Sequence, residues 1–217
     1  MRAAKIAVAL FLVASLFSMC KKDSKNDSTV SNTEYYVQGT LNGQKWNWQV
    51  PADWNGFIVG TSSSLSNDQG TMTGGFTALV SDNSHSFKPQ LGIEFKTISL
   101  PIGSDGTTAF DNFFTTGTWS YASDLTYAAD TKSIVISYTD NTGKTYSSIG
   151  LQNGSSLTVQ SATPVSGSVY NADSGFKIKL SFSCILYPTD GTGSALAAEN
   201  VEATVFLDKT PAGLATN

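Results

Sequence analysis

The chain is poor in the residues that build most metal, redox and nucleic-acid sites. It has 2 cysteines and 1 histidine among 217 residues. A single histidine excludes a paired-metal histidine cluster, and a zinc site of Cys and His lacks ligands. With Cys20 assigned below to a lipid, Cys184 stands alone, so no intrachain disulfide is expected. Stability must then come from a hydrophobic core. Arginine occurs only at Arg2, and the formal net charge is −4. Phosphate binding needs concentrated Lys and Arg, so nucleic acid is not an expected partner. The longest apolar run, Ile6–Phe17, has about 12 residues, too few to span a bilayer comfortably. EF-hand spacing, a nucleophile elbow and a phosphate-binding glycine motif are all missing.

Gly, Ser, Thr, Asn and Asp are abundant, and aromatics reach 11%. That mix favours strands and turns over helices. The length suits one well-filled domain and is short for two.

The N-terminus has the layout of a bacterial export signal. Arg2 and Lys5 precede the apolar run, and polar chain begins abruptly at Lys21. Cys20 sits at the junction, where a lipoprotein signal places its lipid-accepting thiol. Residues 1–19 are therefore expected to be a signal peptide and Cys20 a lipidated residue. Met19 is large for the position before the cysteine, and an ordinary secretory signal is the alternative. Residues 20–33 are polar and charged, which predicts a flexible tether. The expected location is the outer membrane, lipid-anchored, on the cell surface or periplasmic face, and the membrane is the first expected partner.

From Glu34 onward the hydrophobic period is two. Phe176, Ile178, Leu180, Phe182, Cys184 and Leu186 alternate with Lys177, Lys179, Ser181 and Ser183. One face is apolar and the other polar, as a half-buried antiparallel strand requires. Val201–Asp208 and Ile134–Tyr138 alternate in the same way. Asn42-Gly43 and Asp140-Asn141-Thr142-Gly143 mark hairpins, the second returning over Thr145–Leu151. Further strands are expected at Gly56–Ser63, Thr71–Val80, Gln90–Ser99 and Ser156–Ser161. Phe110–Phe114 fits a strand or a helical turn, and Ala195–Glu199 is a local helix candidate. About ten short strands predict an all-β fold, a single antiparallel β-sandwich, jelly-roll-like or a flattened barrel. It would occupy residues 34–210, with a tail at 211–217.

Gly39-Thr40-Leu41-Asn42-Gly43-Gln44-Lys45-Trp46 resembles the opening hairpin of small Bacteroidota envelope lipoproteins with an uncharacterised β-sandwich domain. Ile136–Asp140 with Gly143-Lys144, and Phe176–Tyr187, are similar to later hairpin segments of that group. The resemblance implies compartment and fold. It implies no activity, since the group has no catalytic signature to transfer.

Non-catalytic glycan binding is the sharpest functional expectation. Trp and Tyr rings stack on the apolar faces of sugars, while Asn, Asp and Gln fix the hydroxyls. Trp54 lies among polar loop residues, and Trp119 and Tyr121 are two apart in the chain, so these three are the candidate contacts. Trp46 and Trp48 are expected to plug the core. Asp140, Asp190 and Asp105-Gly106 offer oxygens to calcium but fit ordinary turns better, and no metal or cofactor is expected. Glu94, between Ile93 and Phe95, should point to solvent, and His85 sits in a polar loop without triad context, so no catalytic residue is named. Thr73-Gly74-Gly75 is expected to mark a bulge. An envelope protein is the alternative partner, reached through an unpaired sheet edge that Lys177 and Lys179 could instead guard.

Overall fold

A computed structural model of the chain describes residues 35–49, 57–68, 71–82, 88–101, 107–125, 132–169 and 172–208. The expectations for the signal peptide, Cys20, the tether, Trp54, His85, Asp105-Gly106 and the C-terminal tail lie outside the described residues.

The elements are β1 (Tyr36–Leu41), β2 (Gln44–Gln49), β3 (Phe57–Asp68), β4 (Thr71–Asp82), β5 (Gln90–Pro101) and α1 (Thr107–Phe113), followed by β6 (Gly117–Thr118), β7 (Ser120–Tyr121), β8 (Ser133–Thr139) and β9 (Thr145–Ser147). The chain then runs through β10 (Ser156–Val169), β11 (Ala172–Pro188) and β12 (Leu196–Asp208). The protein is an all-β sandwich. Sheet I has the order β6-β10-β11-β12-β1-β2, and sheet II the order β3-β4-β5-β8-β9. Neighbours are antiparallel except β7, which pairs with β8 in parallel over two residues. β11 belongs to both sheets. Most of its length pairs with β10 and β12, while Tyr187 and Pro188 pair with Ser147 and Tyr146 of β9.

The alternation in β11 explains its place. All six residues from Phe176 to Leu186 on its apolar face are buried. Each large one contributes roughly 1.5–3 kcal/mol by leaving water, so a register slip is strongly disfavoured. Val201, Ala203, Val205 and Leu207 of β12 do the same. Rings bridge the layers: Phe114 lies 5.3 Å from Phe95 of β5 and 5.3 Å from Phe176 of β11. Trp46 of β2 lies 5.7 Å from Tyr138 of β8.

Local sequence and structure part at three places, while Phe110–Phe114 takes the helical one of its two expected forms. Ala195–Glu199 is not helical; Leu196–Glu199 opens β12, because hydrogen-bonded neighbours on both sides, β1 and β11, outweigh weak helix propensity. Phe110–Phe114 resolves as the end of α1 plus Phe114, which turns into the core. The return strand expected over Thr145–Leu151 stops at Ser147. Beyond it Ser148 binds Ile136 through its own N–H at 2.8 Å and through Oγ, which accepts the Ile136 N–H at 2.9 Å. A side chain thus replaces the backbone carbonyl and ends the ladder. Lys177 and Lys179 guard no edge, since β11 is paired on both sides. The Asn42-Gly43 hairpin forms as expected, with φ of 49° and 76°, the positive pair that a tight two-residue turn requires. The ladder does shift at Gly74/Gly75, where Thr97 is the extra residue on β5.

Candidate functional site

A groove of about 580 Å3 runs across the outer face of sheet II. Its floor follows from register. Leu91, Ile93 and Phe95 turn inward, so Gly92 and Glu94 face out. Thr77, Glu94 and Val135 are cross-strand neighbours and form one outward row. Gly92, Ser137, Ser147 and Tyr187 form the next. Gly92 carries no side chain, and a Cβ there would collide with Ser137 Oγ. That hydroxyl instead donates to Gly92 O at 3.4 Å. Three small residues in line across three strands sink a trough between Glu94 and the Tyr187 ring.

The walls are held from below. Lys96, two residues beyond Glu94 on the same face, is 1% exposed. Its ammonium donates to the Asp124 carbonyl at 3.0 Å, pinning the Ser123-Asp124-Leu125 segment over the sheet. Opposite, Tyr187 donates its hydroxyl to Leu151 O at 2.7 Å. Its ring lies against Gly150, where φ is +138° and a Cβ would come within 2.7 Å of the ring. Leu125 and Leu151, each 69% exposed, are the exposed large apolar side chains among the described residues. Leu125 lines the groove, and Leu151 meets the aromatic wall through its backbone carbonyl. Apolar surface from Val135, Ile149, Leu125 and Pro188 therefore adjoins hydroxyls and the carboxylates of Glu94 and Asp124. Such a surface can hold a ligand that is apolar on one side and hydroxylated on its edges.

The sequence-derived contacts fall elsewhere. Trp119 is 7% exposed, packed 5.8 Å from Phe95 and 5.6 Å from Phe113, and its indole N–H donates to Thr115 O at 2.9 Å. Its ring is a core ring, not an exposed surface for stacking. Tyr121 is half-buried, and its hydroxyl lies 2.9 Å from Ser156 O and 3.0 Å from Ser183 O. Burial, reinforced by the neighbouring Cys184 thiol, raises the Tyr121 hydroxyl well above its ordinary value. The same burial pushes the Cys184 thiol up to about 12 although Tyr121 hydrogen-bonds to it. Both Trp119 and Tyr121 border a polar crevice of about 330 Å3 beside Gln152 and Ser156. Trp46 is buried, and Trp48 packs against the core at 5.2 Å from it.

Asp140 and Asp190 serve their own turns. Asp140 Oδ1 accepts from Thr142 N at 2.8 Å, Thr142 Oγ1 at 2.6 Å and Lys144 N at 3.0 Å. Slight burial raises its carboxyl, but these bonds outweigh that and hold it below its ordinary value. Asp190 accepts from Thr192 N at 2.8 Å, and this bond lowers its carboxyl, helped by Lys144 at 3.7 Å. Among the described residues no cluster of three metal-ligating side chains occurs.

Tyr187, Asp124 and the Gly92-Ser137-Ser147 row were not singled out from sequence. Their alignment exists only once β5, β8, β9 and β11 are paired, and small residues alone give no local signal. No protein-family model, no curated protein and no solved structure matches the chain.

Proposed function

We propose that the domain is a non-catalytic binding module that holds a glycan in the groove over sheet II and is displayed on the cell envelope by a lipid on Cys20. The observation that supports this is the groove itself: a built trough with an anchored aromatic wall, apolar patches from Val135, Ile149, Leu125 and Pro188, and hydroxyls from Ser and Thr side chains beside them. Sugar rings offer C–H faces to the first and edge hydroxyls to the last. The test is calorimetric or array binding of the purified chain against neutral and charged polysaccharides, with Tyr187→Ala alongside. Retention of at least one glycan is expected, weakened about tenfold or more in the variant, the loss of one good aromatic contact. Absence of binding across the panel, or binding indifferent to Tyr187→Ala, refutes the groove. Anchoring is tested by palmitate labelling, expected in the wild type and lost in Cys20→Ala.

A protein-interaction role in an envelope complex is the second reading, favoured by β3. It is a twelve-residue strand at the end of the sheet order, free of Lys, Arg and Pro. Cross-linking in intact cells that captures one defined protein, together with an empty glycan panel, would prefer it. Glu94 and Asp124 line one groove. Release of reducing ends from a bound polysaccharide would convert the module into an enzyme.

A further inference from the structure

The groove does not end at its aromatic wall. The polar crevice of about 330 Å3 adjoins it, and the two share their walls. On one side the chain runs on without a break: residues 118–123 line the crevice, and Ser123, Asp124 and Leu125 line the groove. Ser123 borders both, and its small, exposed side chain makes a low sill between them. On the other side Ile149 lines the groove and Gly150, the next residue, lines the crevice. Gly150 also seats the Tyr187 ring, so the aromatic wall stands at the junction. The crevice is built as firmly as the groove. Gln152 pins its wall to β11: Nε2 donates to Ser148 O at 2.6 Å and Ile185 O at 2.7 Å, while Oε1 accepts from Ile185 N at 3.0 Å and Ser155 Oγ at 2.9 Å. The facing walls are tied to each other by the Tyr121 hydroxyl, 2.9 Å from Ser156 O, and by the Trp119 N–H, which donates to Leu157 O at 3.1 Å. Thr118 and Ser120 are exposed on the crevice wall and bring hydroxyls, which both donate and accept.

We infer that groove and crevice are two subsites of one cleft, and that the ligand is a linear glycan chain running through both rather than a single sugar or a disaccharide. This rests on the glycan-binding reading of the same groove. A sugar ring stacked on Tyr187 has its next neighbours at the crevice mouth, over Ser123. The groove takes rings by their C–H faces, and the crevice takes the following units by their hydroxyls. At about 580 Å3 the groove alone accommodates a small ligand, so a longer chain gains contacts only by crossing the sill.

The experiment is calorimetry of the full chain against cello-, malto- and chito-oligosaccharides and oligogalacturonates, each as disaccharide and hexasaccharide. At least one series is expected to bind, its hexasaccharide about tenfold or more tighter than its disaccharide. Ser120→Trp and, independently, Thr118→Trp place a bulky ring on the crevice wall and should bring that ratio toward unity, with the fold checked by circular dichroism. Tyr187→Ala should weaken both lengths. Equal affinity for the two lengths in every series that binds overturns this inference while leaving glycan binding in place. A length gain that survives both Trp variants does the same, since repeated registers along a chain produce it without a second subsite. Binding of a random peptide library with no bound sugar overturns both readings and makes the occupant an extended peptide. Silence from all four series overturns this inference and, with an empty wider panel, the glycan reading as well.

Discussion

Trp119, Tyr121 and Cys184 show how far a side chain's meaning depends on its surroundings. Two aromatics two apart in a polar stretch suggest a stacking surface, yet the indole of Trp119 is wedged between Phe95 and Phe113. Trp119→Ala should therefore cost about 3–5 kcal/mol, measured as a drop in the urea midpoint at constant slope. Binding in the groove of the still-folded fraction should be unchanged. Cys184 makes a second prediction. Its thiol rises from an ordinary 9.0 to about 12 because the charged form is excluded from the core. The folded state then holds a proton that the unfolded chain releases. Its stabilising effect is complete below pH 9.0 and is lost as pH climbs toward 12. Tyr121, shifted in the same direction, adds to the loss at still higher pH. Cys184→Ala should flatten the decline in melting temperature between pH 9 and pH 11 relative to wild type, as read by circular dichroism.

At the scale of elements, the groove depends on two supports away from its floor. Gly150 at φ +138° leaves room for the Tyr187 ring. Gly150→Ala should both strain the backbone and push the ring aside. About 1–3 kcal/mol of stability should go, and ligand affinity should fall more than stability predicts. A variant that keeps full affinity would show that Tyr187 needs no such seat. What was legible in sequence was the strand content and its inward faces. Phe176–Leu186, Ile134–Tyr138 and Val201–Leu207 carry alternation strong enough to announce themselves, and Asn42-Gly43 and Asp140–Gly143 mark their turns by chemistry. The start of β12 and the early end of β9 were not legible, because partners across the sheet decide both. The groove was hidden for the same reason: Gly92, Ser137 and Ser147 lie 45 and 10 residues apart and become a surface only through pairing. Glu94 was visible as an outward acid, but not the trough beside it.

For the whole molecule, the two cysteines report on fold and anchor together. On the proposed lipidation of Cys20, native protein from its own host is expected to react with a thiol reagent at no cysteine until denaturant is added, and then at Cys184 alone. A second reactive thiol would contradict a lipid on Cys20. Early labelling of Cys184 would contradict the packing of β11.

The passage of β11 from one layer to the other has a further effect. The sandwich is stitched at Tyr187 and Pro188, so neither leaf can peel away while the other stays intact. Amide exchange on both sides of that seam should proceed by one global opening rather than two separate ones. A groove bordered by such a seam should keep its shape on binding, so structures with and without a bound ligand should superpose closely there.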